Sequence, residues 1–379
     1  MKARLGALLF GIGVLCLVVA AGVAYYVAPT VTKLPYDLQS CNADGKPEGC
    51  LKPSVAVAEN AKFLQLKKDK PPTVQTGTLE ATTEVAPQAV TTDHEMTGKL
   101  EGKAVVWDGY GTVKWTQTGE MISQYAAEFA IDRKTAAAVE WDKQYLQADG
   151  PTGPDDVTFT GQIYKFPFHT GKKTYQYFDR DLRKALPISF KGTEQIKGVE
   201  TYRFEQVIPQ TDVSPAADKL SFLLGTFAPG ATSGKVMYAN TRTIWVEPVS
   251  GNFVKVREQQ KKLLVPDQGA ATILLNADFV YNDQTISNSV DSATKTRDQL
   301  TLISRTLPLA LAVLGALALI AGLWLFLAGR RSATARRRGD DVHDTGAPGV
   351  PAQPAAPEQE EVTAGAPART YETEVERRH

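Results

Sequence analysis

Thr306-Leu-Pro-Leu-Ala-Leu-Ala-Val-Leu-Gly-Ala-Leu-Ala-Leu-Ile-Ala-Gly-Leu-Trp-Leu-Phe-Leu-Ala328 contains no charged side chain, and neither does the run Leu5–Ala28 near the other end. Each is roughly 23 residues long, about 35 Å as a helix, which is enough to cross the hydrocarbon core of a bilayer. An ordinary core element does not need so long an uncharged run. The reading therefore starts from two membrane helices, one near each end of 379 residues.

The first run has two readings. Lys2 and Arg4 before an apolar stretch also describe a secretory signal, and Ala20, Ala21 and Ala24 offer a small-residue cleavage site. Signal cores usually span about 7–15 residues, fewer than here, and Tyr25 and Tyr26 suit a membrane interface. Length and aromatics favour an uncleaved anchor, with cleavage as the alternative.

Orientation follows from the basic flanks. Lys2 and Arg4 precede the first run, and Arg330, Arg331, Arg336, Arg337 and Arg338 follow the second. Excess Lys and Arg stay cytoplasmic, so both termini are expected inside and the intervening chain outside. The expected organisation is a cytoplasmic N-terminus (1–4), a signal-anchor helix (5–28), an extracytoplasmic domain (29–305), a second helix (306–328) and a cytoplasmic tail (329–379). Ala, Pro, Gly and Glu dominate the tail, which lacks the apolar periodicity that offsets ordering entropy, so it is expected to be disordered.

Cysteine placement agrees. Cys16 lies inside the first run as a small apolar side chain. Cys41 and Cys50 flank the turn-rich Asn-Ala-Asp-Gly-Lys-Pro-Glu-Gly in a compartment expected to be oxidising, and are expected to form a disulfide. Two thiols without nearby His or Cys do not close a zinc site. Net charge is zero, which gives no general attraction for nucleic acid.

Between the helices the signals are mostly β. Tyr202 and Phe204 share one face of Thr201-Tyr-Arg-Phe-Glu205, and Val254 and Val256 alternate with Lys255 and Arg257. Period-two runs of this kind describe half-buried antiparallel strands. Further strand candidates are 77–90, 111–118, 124–131, 137–146, 174–178, 236–247 and 272–281. Turn chemistry separates them at Thr118-Gly119, 149–154, Lys191-Gly192, Lys197-Gly198 and Ser250-Gly251. Helical patterns are few: 181–186, 215–224, and 292–304 running into the second span. The fold class is mainly β, α+β in outline, with antiparallel sheets between two transmembrane helices. Ile131–Trp141 aligns without gaps on Val246–Val256, which raises two related β units against the simpler view that short hairpins look alike.

Catalytic signatures are lacking. His94 and His169 are far apart, and no P-loop, Gly-x-Ser-x-Gly, His-Glu-x-x-His or Gly-x-Gly-x-x-Gly motif occurs. Asp155-Asp156 and Asp179-Arg-Asp181 are the densest carboxylates and read as solvated turns, with turn capping or calcium at a surface loop as alternatives to a general acid–base pair. Phe166, Phe168, Tyr175 and Tyr177 concentrate aromatics; they either contact an acyl chain or sugar or fill a β core. Lys67-Lys68-Asp69-Lys70 and Lys172-Lys173 either meet lipid headgroups or are solvated faces. No metal ligand, cofactor-binding or catalytic residue is expected.

Phe166-Pro-Phe168, Tyr175-Gln-Tyr-Phe-Asp179, Gly198-Val-Glu-Thr-Tyr-Arg-Phe204 and Trp245-Val-Glu-Pro-Val-Ser-Gly251, with the Gly-rich N-terminal anchor, resemble the actinobacterial PorA-like porin family. The resemblance runs from the first span to the second. It implies a channel in a mycolate-bearing envelope and brings no catalytic residues. Trp245–Val256 is also similar, in fold alone, to the strand–turn–strand unit of periplasmic lipoprotein-carrier domains. A lipid-facing barrel needs an apolar outer band, whereas Arg203, Glu205, Lys255 and Arg257 occupy the faces read as outward. The expectation is a non-enzymatic envelope protein whose ectodomain binds or escorts a lipid or lipoglycan, or scaffolds envelope partners; the alternative is a channel.

Overall fold

Hydrogen bonding joins the alternating segments into one antiparallel sheet. The computed structural model describes residues 2–41, 50–67, 70–148 and 155–339. The tail beyond residue 339, the turn at 149–154, the pair 68–69 and the turn between the two disulfide cysteines lie outside the described residues. The strands are β1 (Ser54–Gln65), β2 (Thr73–Pro87), β3 (Ala104–Trp115), β4 (Glu120–Asp132), β5 (Ala138–Val139), β6 (Tyr145–Ala148), β7 (Asp155–Asp156), β8 (Tyr175–Asp179), β9 (Lys184–Ile196), β10 (Val199–Asp212), β11 (Gly234–Val246), β12 (Phe253–Pro266) and β13 (Thr272–Tyr281). Their order across the sheet is β7-β6-β4-β3-β2-β1-β13-β12-β11-β10-β9-β8, with β5 beside β4.

The sheet curls until its edges meet. Gln162 bridges Ala137 on the β4 side and Tyr177 of β8. The bridge rests on Ala138 N–H to Gly161 O (2.8 Å), Gln162 N–H to Gln176 O (2.7 Å) and Phe178 N–H to Gln162 O (2.8 Å). The Arg180 guanidinium adds a second tie, 3.7 Å from the ring centroid of Tyr125 on β4. A tightly curled sheet must place small or flat groups on its inner face. A Cβ at Gly111 would overlap the Tyr125 ring, and one at Gly109 would stand 3.1 Å from Tyr164. The outer face carries ion pairs: Arg257 pairs with Asp278, and Arg203 with Glu194 and Glu205.

Two long apolar helices lead into and out of the sheet. Lys2–Gly22 (α1) continues through a π-helical turn, Val23–Val27, into Ala28–Val31 (α2). The other helix is continuous. Asp283–Thr301 (α5) passes through a second π turn, Leu302–Thr306, into Leu307–Gly339 (α6). Asn282 caps its start by accepting from Thr285 N–H at 2.8 Å. The expected approach over 292–304 is therefore part of a helix that begins at the end of β13. The runs Arg4–Val31 and Asp283–Ala328 are long and apolar enough to cross a membrane.

α1 and α6 pack antiparallel through paired glycines. A Cβ at Gly6 would stand 2.7 Å from Gly322 O, and one at Gly13 would stand 2.8 Å from Gly315 O. Small residues let helix backbones approach without a hydrophobic drive between them. Gly6, Gly13 and Ala20 on α1 are buried at seven-residue spacing, while Leu8, Leu15, Val18 and Trp324 stay exposed, as suits a lipid-facing surface.

Both helices reach the same end of the sheet. Leu34, just past α2, donates its N–H to Arg133 O (2.7 Å) and accepts from Arg133 Nε (2.6 Å) at the β4–β5 turn. Asn282 leaves β13 at that end, beside β1, and donates its N–H to Val55 O. The β1–β2, β10–β11 and β12–β13 connections lie at the opposite, membrane-distal end. Cys41 and Cys50 are joined in a disulfide in the segment leading to β1.

Several local expectations change. The 181–186 stretch is a turn running into β9, because Arg183 takes a positive φ of 54° and pairing with β8 resumes at Lys184. Lys191-Gly192 is an irregularity inside β9 rather than a chain reversal. The 115-residue offset between the two similar hairpins places β3 on the helix Ala217–Phe227 (α4), so their likeness stops at the hairpin. The strands form one continuous sheet.

Candidate functional site: a charged layer inside the curled sheet

Alternation assigns Val236, Tyr238, Asn240, Arg242, Ile244 and Val246 of β11 to the inner face, where all six are buried. Ile244 and Val246 join Phe166, Tyr177, Ile188 and Phe204 in an aromatic-rich cluster toward the membrane. Val236 joins Leu264 and Leu274 at the distal end. Asn240 and Arg242 sit between, and register continues this polar row across the sheet. Gln206 of β10 and Glu258 of β12 flank Arg242, and Gln260 flanks Asn240.

Arg242 is the hub. Its Nε donates to Glu258 Oε1 at 2.6 Å, Nη1 to Gln206 Oε1 at 2.5 Å and Nη2 to Asp179 Oδ2 at 3.1 Å. Asp179 also accepts from Leu182 N–H at 3.0 Å and from the Tyr238 hydroxyl at 3.2 Å. Lys262 Nζ donates to Asp181 Oδ1 at 2.5 Å. Asp179-Arg-Asp181, read from sequence as a solvated turn, thus ties the closing edge to three strands: Asp179 to β11, Arg180 to β4 and Asp181 to β12.

The electrostatics are mutually compensating. Burial alone would push the Asp181 carboxyl up, but Lys262 and Arg180 outweigh it and hold the group below the usual carboxylate range. Glu258 follows the same logic: burial opposes its charge, and Arg242 more than offsets that. Burial raises the hydroxyls of Tyr177 and Tyr238, so both stay protonated, and Tyr238 donates to Asp179. Side-chain exposure separates two tiers. Asp179 (1%) and Arg242 (8%) are sealed, whereas Glu258 (22%), Asp181 (22%) and Lys262 (29%) still meet solvent from the inner face. The layer therefore joins sealed and partly exposed charges, with apolar packing on either side along the sheet axis.

The aromatics singled out from sequence pack against one another. Phe166 is fully buried, 4.9 Å from Tyr175, 6.3 Å from Tyr177 and 4.7 Å from Phe204 between centroids. Phe168 is half-buried beneath Lys165 Nζ, 4.7 Å away. Lys165 itself is buried and donates to Ser250 O (2.5 Å) and Asn252 Oδ1 (2.6 Å). Desolvation pushes it down to about 7 against the pull of Glu247. A trough of about 400 Å³ crosses β10 to β1 and is lined by polar residues such as Asn60, Thr241, Gln259 and Asp278 together with Ile208, Ala239 and Ala277. His94 lies on the short helix Ala89–Glu95 (α3), and His169 lies in a loop whose N–H bonds Val249 O, so the structure does not bring them together.

Sequence reasoning missed Arg242, Gln206, Glu258 and Lys262. The available signal was parity: Asn240 and Arg242 in β11, and Glu258, Gln260 and Lys262 in β12, occupy the positions that the neighbouring Val and Ile mark as inward.

Fold and site together define a membrane protein of the cell envelope with two apolar helices and a curled antiparallel sheet around a charged interior. The chain belongs to the family described as Porin PorA, whose model matches residues 5–324. A Corynebacterium resistens protein named Porin PorA is 23% identical over 411 aligned positions, covering 88% of this chain and 98% of the relative. A Corynebacterium amycolatum protein of the same name is 24% identical over 248 positions, covering 53% of this chain and 64% of the relative.

Proposed function

We propose that this chain is a non-enzymatic, channel-class protein of the cell envelope, in which the helices cross the membrane and the sheet stands outside it. The carrying observation is the charged layer on the inner face of the sheet, where Glu258, Asp181 and Lys262 are partly exposed. A polar interior is what a conducting path needs, and the name of the relatives points the same way. The charged outer face argues against the sheet itself lying in lipid. Basic residues flanking the two apolar runs support cytoplasmic termini. The glycine contacts between α1 and α6 give the first span a packing role, which supports its retention as an anchor. Two closely packed helices enclose no water path, so a membrane pore on this reading takes helices from several copies.

Planar-bilayer recording with purified full-length protein tests this. Discrete conductance steps are expected, growing in frequency faster than linearly with protein concentration. Silence from homogeneous, folded protein across voltage and concentration would refute the channel reading.

A further inference from the structure

The membrane-distal end of the sheet interior is covered by α4. This helix follows β10 through Pro215 and precedes β11 through Pro229-Gly230, positions that fix or free the backbone where a hinge would turn. Its apolar face, Leu220, Leu223, Leu224 and Phe227, rests on Val213, Val236, Leu264 and Leu274. These seats belong to the end of the inner wall, next to the row that carries Tyr238 and Lys262. Of the helix residues, Leu224 alone is buried. Gly234, at the start of β11, makes room for it, since a Cβ there would stand 2.8 Å from Leu224 Cδ2.

The helix is also weak in its own right. Neither end has a side-chain cap, no basic residue faces the last turn, and Gly225 interrupts its second half. Phe222 on its other face is 56% exposed. By contrast β10, β11 and β12 are 13–14 residues long and are paired along both edges. Segments with few buried contacts open locally at low cost, while doubly paired strands open only with the whole domain.

We infer that α4 is a lid that swings off the distal mouth of the sheet and opens the charged layer to the outside, with Leu224 as its catch. As a gate this rests on the channel reading; as a moving element it stands alone. Lid opening uncovers Val236, Leu264 and Leu274 and leaves the Lys262–Asp181 pair facing bulk water.

Hydrogen exchange read by mass spectrometry on the full-length protein in detergent micelles tests the motion. Amides of 218–227 are expected to exchange about a hundredfold faster than those of β11 and β12. Equal protection of helix and strands would overturn the lid. Leu224→Asp is expected to strip the remaining protection from α4 while β11 and β12 keep theirs; collapse of the strands as well would make α4 part of the wall and also overturn it. In bilayers, L224D is expected to raise the open fraction several-fold, and an unchanged open fraction in a conducting protein would remove the gating role. A silent wild type would refute the channel reading, and the exchange measurement would still decide the lid.

Discussion

Replacing Arg242 with Met tests whether the inner charges form one cooperative layer. The side chain is 8% exposed and donates to Glu258, Gln206 and Asp179, with its guanidinium carbon 5.0 Å from the Tyr177 ring centroid. Met fills much of the same volume, so the change isolates the loss of charge and donors. Asp179, 1% exposed, then keeps only the Leu182 N–H and the Tyr238 hydroxyl among the bonds described above, and Glu258 keeps Gln260 and Asn240. Removing one partner of a buried ion pair typically costs ~3–5 kcal/mol, because the other charge stays buried and uncompensated. The remaining donors to Asp179 place the expectation near the lower end, about 3 kcal/mol. Urea unfolding followed by tryptophan fluorescence reads the change, since Trp107, Trp115, Trp141 and Trp245 all lie in or beside the sheet. The double variant Asp179→Asn with Arg242→Met removes both sealed charges and is expected to recover about 1–2 kcal/mol of that loss. A cost below about 1 kcal/mol for R242M, or strict additivity in the double variant, would refute the cooperative layer.

Further predictions concern the loop behind the aromatic cluster and the helix pair. Lys165 is pushed down from its ordinary 10.5 to about 7 by burial, so between those values the unfolded chain holds a proton that the folded chain has released. Stability from this group therefore rises with pH across that window, and Lys165→Met should flatten the rise in the urea midpoint between pH 7 and 10; an unchanged slope would count against a buried neutral lysine. Gly315→Leu inserts a side chain where even a Cβ would stand 2.9 Å from Gly13 O. Spin labels at Leu8 and Ile320 should then move apart and broaden in distance, whereas Gly11→Leu, at an open position on α1, should leave the distance unchanged.

The membrane helices were legible because two long uncharged runs admit few other readings. Strands β10 to β12 were legible because their Tyr, Phe, Val and Ile residues alternate with charges. β1 was not, and its residues show why. Ala56, Ala58 and Ala61 are the inner side chains that a tightly curled wall accommodates, and the register shift between Ala58 and Ala61 breaks period two. The charged layer escaped notice for a different reason. Gln206, Arg242 and Glu258 each stand on a separate strand, and only inter-strand register brings them together. The aromatics were visible as a group, but their choice between core and ligand surface depended on the 157–168 segment folding back under β4. Phe159 and Ile163 pack there with Phe129 and Phe178, and no local pattern in that segment announces it. Asp179-Arg-Asp181 drew attention as a cluster, yet its three partners lie on strands that begin more than 50 residues away.

The central claim is that the sheet lies in water and the helices alone lie in lipid. Single cysteines on the outer face at Thr112, Thr241, Gln259 and Lys261, in a Cys16→Ser background, can be probed in membrane vesicles holding the full-length protein with a water-borne maleimide. The account predicts labelling at all four positions at comparable rates, with cysteines at Leu15 and Leu317 protected. A continuous protected band around the outer face of the sheet would contradict it and place the strands themselves in the bilayer.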